Sequence, residues 1–148
     1  MKLPRIQVEQ IRAILDGEVF DWAFQKLKSS ETMDEMKYSD FIEVSDGDIE
    51  RYVTENGFSA NTVYEADSLK ACRSHEADDH ICILAVPGGW EVFYSERGET
   101  RDHVRCTTKV DAQREVLRRL IRGARIALNH RYRAAHPELD LPPPSEME

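Results

Sequence analysis

Four groups able to bind a borderline metal ion fall within eleven residues, as Cys72-x2-His75-x4-His80-x-Cys82. Four is enough for a tetrahedral zinc site, but the spacing follows no zinc signature. Cys82 lies inside the apolar run Ile81–Val86, while Glu76, Asp78 and Asp79 make the segment before it an exposed polar loop. A loop followed by a buried cysteine is therefore expected, and no metal. His103-x2-Cys106 is the other close histidine–cysteine pair, and on one strand that offset points the two side chains to opposite faces. Glu91 and Glu96 could serve acid–base chemistry, but Glu91 alternates with Trp90 and Val92 as a solvent-facing strand residue does. No Walker-type phosphate loop, GxGxxG or HExxH motif occurs, and Gly88-Gly89 stands in a hairpin position. The expectation is a protein without catalytic residues, metal or cofactor. Three cysteines, Cys72, Cys82 and Cys106, make an odd, irregularly spaced set that fits reduced thiols better than a disulfide framework.

Charge is the more informative signal. The chain carries a net charge of -8, which a nucleic-acid backbone would repel. The first 100 residues hold 10 basic and 21 acidic side chains, a net of -11, whereas the remainder holds 10 and 7, a net of +3. Residues 31–50 contain Glu31, Asp34, Glu35, Asp40, Glu43, Asp46, Asp48 and Glu50 against Lys37 alone. Such a run is either a solvated face or flexible loop, or a docking surface for a basic partner. In the second reading Asp34, Glu35, Asp40, Glu43, Asp46 and Asp48 face the partner, and Tyr38, Phe41 or Tyr52 supplies a buried anchor, because a charged rim alone seldom gives tight binding. The arginines of the C-terminal part, Arg114, Arg118, Arg119, Arg122, Arg125, Arg131 and Arg133, have a single interleaved aromatic residue, Tyr132. That argues against nucleic acid and for an exposed face offsetting the acidic part, with a homodimer contact left open.

These side chains need elements to hold them. At 148 residues, 41% apolar and 32% charged, the chain has material for one core under a polar exterior. The longest mostly apolar run falls far short of the ~20 residues of a membrane span, and the N-terminus lacks the apolar stretch of a signal peptide, so the cytoplasm is the expected compartment. Apolar residues from Val8 to Leu27 recur at helical spacing, with a break at Asp16-Gly17. Lys28–Tyr38 is a polar linker, and a capping box at Ser45-x-x-Asp48 starts a helix over 46–56. Short β-prone runs follow at 62–66, 81–86, 90–95 and 103–107, with turns at Pro87-Gly88-Gly89 and around Arg97-Gly98, where Gly98 takes a left-handed backbone. Thr108-x-x-Asp111 caps a long final helix whose stripe Leu117, Leu120, Ile121 and Ala124 is expected over Trp90, Val92 and Tyr94. The result is an α+β domain over 1–135, with N-terminal helices and a long C-terminal helix packed on a small antiparallel sheet of three to four strands. Residues 136–148, rich in proline and glutamate, are expected to be a disordered tail.

The strand and turn Gly89-Trp90-Glu91-Val92-Phe93-Tyr94-Ser95-Glu96-Arg97-Gly98, followed by a short strand and the helix start Val110-Asp111-Ala112-x4-Leu117-x2-Leu120, resembles a pattern of immunity proteins in bacterial polymorphic toxin systems. There a W-x-V-y-y-x-E-R-G strand and turn precede a strand and a capped helix. The resemblance covers residues ~57 to 121, including the Asn56-Gly57 stop, and departs at Val110-Asp111-Ala112, where the pattern has a Ser-Glu start. It implies a small, acidic, non-enzymatic cytosolic protein that binds one cognate toxin domain and blocks its active site. Nuclease and NAD-consuming toxins suit an acidic inhibitor, since both need phosphate-binding pockets. An unrelated adaptor, or a nucleic-acid binder using the arginine-rich helix, is the alternative.

Overall fold

The computed structural model describes residues 5–147. Its elements run α1 (Arg5–Leu15), α2 (Val19–Leu27), α3 (Ser30–Asp34), α4 (Tyr38–Phe41), α5 (Asp46–Asn56), β1 (Val63–Ala66), α6 (Leu69–Cys72), β2 (His80–Val86), β3 (Gly89–Glu96), β4 (Glu99–Cys106) and α7 (Lys109–Ala135). The class is α+β. Backbone contacts divide the described residues into two compact units, 5–56 with 120–147 and 57–119, where the sequence reading places one core.

In the helical unit, Gly17 at φ 69° ends α1, and the chain turns into α2 where the apolar periodicity falters. Residues 28–38 form no linker. Ser29 Oγ accepts the amide of Thr32 to start α3, and the amide of Lys37 donates to Asp40 Oδ2 at the start of α4. Short polar side chains at both starts supply acceptors for helix amides, a signal that the lack of apolar periodicity hides. Helix α5 opens with the expected reciprocal box, Ser45 and Asp48 exchanging amide and side-chain bonds at 3.1 Å. The final segment folds as well: Pro137–Leu139 forms a 3₁₀ turn and Met147 is buried. Its proline content restricts φ without preventing it from packing.

In the sheet unit the strand order is β1-β2-β3-β4. Strands β2, β3 and β4 form the expected antiparallel meander, but β1 pairs with β2 in parallel, Val63 opposite Ile81. A parallel pair needs a crossover, and residues 67–79, with α6 and the 3₁₀ turn His75–Ala77, supply it. The crossover also covers a sheet face. Cys72 and Ala77 join Cys82, Leu84 and Phe93 in one buried cluster, with Tyr64, Ala66 and Val86 at its margin. On the opposite face Lys109 Nζ lies 5.5 Å from the Trp90 ring centroid and the Arg119 guanidinium 4.9 Å from that of Tyr94, so residues 109–119 of α7 cover it. Coverage on both sides explains why Ile81, Cys82, Ile83 and Leu84 are all buried in succession. Phe93 and Ser95, expected on the outward side of β3, are fully buried for the same reason. Of the expected α7 stripe, Leu120, Ile121 and Ala124 belong to the helical unit.

Between β3 and β4 the register shifts: Val92 faces Val104, but Tyr94 faces Arg101. Two residues of β4, Asp102 and His103, thus oppose Phe93 alone, and Asp102 adopts a left-handed φ of 56°. This is a β-bulge. Its carbonyl accepts Arg119 Nη2 at 2.5 Å, and Arg119 is itself buried.

Candidate functional site

The acidic run 31–50 is folded, not a loop. Met33, Tyr38, Phe41, Ile42, Val44 and Ile49 point into the core, and the carboxylates occupy the positions between them. Gln10, buried on α1, clamps the segment: its Nε2 donates to the Phe41 carbonyl at 3.1 Å and its Oε1 accepts the Glu43 amide at 2.9 Å.

Several of the expected partner-facing carboxylates are engaged within the helical unit. Asp34 Oδ1 lies 2.7 Å from Arg131 Nε, Asp46 Oδ2 lies 3.5 Å from Arg125 Nη2, and Glu35 Oε2 lies 3.4 Å from His136 Nε2. Asp48 caps α5 and lies 3.9 Å from Arg51. Asp40 caps α4 yet remains exposed, as does Glu43. Among the described residues, Glu31, Asp40 and Glu43 form no ion pair. The aromatic anchors fare differently from expectation. Tyr38 and Phe41 are 6% and 8% exposed and belong to the core, since helical spacing carries both to the inner side of α4. They are not available as anchors in this conformation. Tyr52 is half-buried, its hydroxyl accepting Arg12 Nε at 3.1 Å.

Burial raises the Tyr38 phenol to about 12, Asp46 adding to the shift and Arg125 opposing it. The Arg125 guanidinium lies 5.5 Å from the ring centroid, and the hydroxyl oxygen has no hydrogen-bond partner among the described residues. The arginines of α7 are similarly occupied: Arg118 chelates Glu115, Arg131 lies over Phe20 as well as beside Asp34, and Arg133 donates to the Leu141 carbonyl. Offsetting of the acidic part is thus what Arg125 and Arg131 do.

A feature absent from the sequence reading lies where α1 passes into α2. A groove of about 280 Å³ is lined by Glu9, Arg12, Asp16, Glu18, Asp21 and Trp22, with Ala13 and Gln25. Glu9 is engaged with Arg5 and Lys26, but Glu18 and Asp21 are exposed and form no ion pair among the described residues. The Trp22 indole N–H is buried and has no acceptor among the described residues. The signal was present as Asp16, Glu18 and Asp21 around Gly17, diluted by the denser run that follows.

The metal-spacing residues scatter. His75 is exposed and pairs with Asp78, whereas His80 places Nδ1 2.7 Å from the Asp78 carbonyl oxygen and Nε2 3.0 Å from that of Ala60. Cys72 and Cys82 are buried, and desolvation raises both thiols, Cys82 to about 12. Glu91, in contrast, is no isolated solvent-facing residue. Its Oε1 accepts His103 Nδ1 at 2.5 Å, and Thr100 Oγ1 lies 2.9 Å from His103 Nε2.

No protein-family model matches the chain, and no curated protein or solved structure is significantly similar to it. No described helix is long and apolar enough to cross a membrane.

Proposed function

We propose that the chain is an immunity protein, binding a cognate toxin domain through its acidic helical surface and occluding the toxin's active site. The observation that carries this reading is the set of outward carboxylates that have no cationic partner among the described residues of the helical unit, Glu18 and Asp21 at the α1–α2 groove and Glu31, Asp40 and Glu43 farther along the chain. Uncompensated charge of one sign raises the association rate with an oppositely charged surface and fixes its register. A basic cleft that holds a phosphate-bearing substrate, as in a nuclease or an NAD-consuming toxin, is the matching surface. Trp22, half-buried and lining that groove, takes the anchoring role that buried Tyr38 and Phe41 do not fill.

The test is binding to, and protection against, the toxin domain encoded beside this chain. Replacing Glu18, Asp21, Glu31, Asp40 and Glu43 with their amides is expected to lower the association rate at least about tenfold at low salt and to flatten its salt dependence. Neutralising Asp34 and Asp46, already paired within the unit, is expected to change association much less. Full protection and unchanged kinetics with the five-residue variant would overturn the surface assignment. Failure of the wild-type protein to bind any neighbouring gene product would overturn the immunity reading.

A further inference from the structure

We propose that Thr100, His103 and Glu91 form a hydroxyl–imidazole–carboxylate relay that takes an acyl group from carboxylic esters onto Thr100. The relay lies wholly in the sheet unit and does not depend on the partner-binding reading. Glu91 is on β3; Thr100 and His103 are on β4. In a regular strand residues 100 and 103 would point to opposite faces. The bulge at Asp102 adds one residue and reverses that parity, so both reach the face that carries Glu91 and Phe93. Bulges of this kind re-aim side chains beside functional sites, and a left-handed non-glycine residue persists where its surroundings hold it. Here buried Arg119 holds it through the Asp102 carbonyl.

The imidazole is fixed in three ways. It stacks on Phe93 with ring centroids 4.6 Å apart and an interplanar angle of 21°. Its Nδ1 donates to Glu91, because a carboxylate only accepts, which leaves the Nε2 lone pair facing the Thr100 hydroxyl. A nucleophile within hydrogen-bond reach of a base that a third group orients is the arrangement nucleophilic catalysis requires. The ring remains open to solvent, with a side-chain exposure of 38%, so a substrate reaches it from the sheet surface without a lid. Arg105, opposite Glu91 in register and tied to the Pro87 carbonyl, adds a positive charge to the same face.

The chemistry balances without a cofactor. Thr100 Oγ attacks the ester carbonyl carbon while its proton passes to His103 Nε2. The tetrahedral adduct collapses, the bond to the alcohol oxygen breaks, and the alcohol leaves with that proton. Water then repeats the sequence on acyl-Thr100, releasing the carboxylic acid and restoring the hydroxyl. Thr100 and His103 are the catalytic residues. Glu91 touches no reacting atom and is a positioning residue.

The probe is p-nitrophenyl acetate with the full chain, read by p-nitrophenolate release and by peptide mapping of the acetylated protein. Acetyl on Thr100 is expected, with release lowered about a hundredfold or more in His103→Asn and lost from this site in Thr100→Val. In Glu91→Gln the downfield imidazole N–H resonance of His103 and the acylation rate are expected to fall together, with Glu91→Asp restoring part of both. Glu99→Gln, in the same hairpin but outside the relay, is expected to keep the rate and controls for damage to the hairpin. Acetylation confined to lysines, acetylation of His103 with Thr100→Val reacting as fast as wild type, or no acetylation of the folded wild type would each overturn the proposal.

Discussion

Asn129 Oδ1 accepts the backbone amide of Tyr38 at 2.7 Å, and Nδ2 of the same side chain donates to the carbonyls of Pro144 and Met147 at 3.0 and 3.1 Å. One fully buried amide on α7 thus joins the start of α4 to the C-terminal segment. Removing it strands polar backbone groups in the interior, which costs more than the bonds contributed net. Asn129→Ala is expected to lower unfolding free energy by about 2 to 4 kcal/mol in a urea titration and to expose residues 136–147 to limited proteolysis. Asn129→Asp keeps the acceptor for Tyr38 but loses the donor, and is expected to release the C-terminal segment selectively.

Tyr38 gives a pH dependence with a defined sign. An unfolded tyrosine ionises near 10 and the folded one at about 12, so the native state holds this proton more tightly. Its contribution is complete below pH 10 and is lost as pH rises from there to about 12. Spectroscopic titration is expected to show one phenol ionising with unfolding, late in the alkaline limb. Because the hydroxyl has no hydrogen-bond partner among the described residues, Tyr38→Phe is expected to leave stability at pH 7 within about 1 kcal/mol of wild type or to raise it. It is also expected to move alkaline unfolding to higher pH. A loss much larger than that would mean the hydroxyl is satisfied in solution.

Elements with a strong local signal were legible in the sequence: α5 from its capping box, the break before α2 from Gly17, and the β2–β3 hairpin from two β-prone runs around Pro87-Gly88-Gly89. Elements that depend on distant partners were not. Residues 28–38 lack apolar periodicity because α3 and α4 are too short to show it, and the C-terminal segment is ordered by Asn129, many positions away. The parallel pairing of β1 follows from the crossover and leaves no mark on four residues. The relay escaped for a sharper reason. Strand alternation places Thr100 and His103 apart, and only a bulge at Asp102, a residue without glycine's freedom, brings them together. Of the acidic surface, sequence located the charge but not its pairing, since Asp34 and Asp46 find their arginines on a helix 97 and 79 residues later.

The two hairpin turns call for opposite outcomes on substitution. At Arg97-Gly98 both residues have positive φ, 51° and 80°, the geometry of a two-residue turn that favours asparagine before glycine. Arg97 is exposed and forms no ion pair among the described residues. Arg97→Asn is expected to stabilise the protein by about 0.5 to 1 kcal/mol, read as a higher melting temperature. Gly89 is constrained by space. A Cβ there would lie 2.4 Å from the Cys106 carbonyl oxygen, a backbone atom that cannot swing aside. Gly89→Ala is therefore expected to separate β3 from β4 locally and to lower the melting temperature.

The faces of β3 can be told apart by truncation. Phe93 is 0% exposed, lies within the Cys72, Ala77, Cys82 and Leu84 cluster, and carries the His103 ring stacked on it. Phe93→Ala leaves a cavity among the buried residues of that cluster and is expected to cost about 3 to 5 kcal/mol. Trp90 is larger but only half-buried, and Lys109 covers its ring from a position near solvent. Trp90→Ala removes less area from the interior and is expected to cost no more than about 2 kcal/mol. Chemical denaturation of both variants checks the order. If Trp90→Ala proved the more damaging, the α7 side of the sheet would hold the dominant core, and the tight cluster under the crossover would be secondary to it.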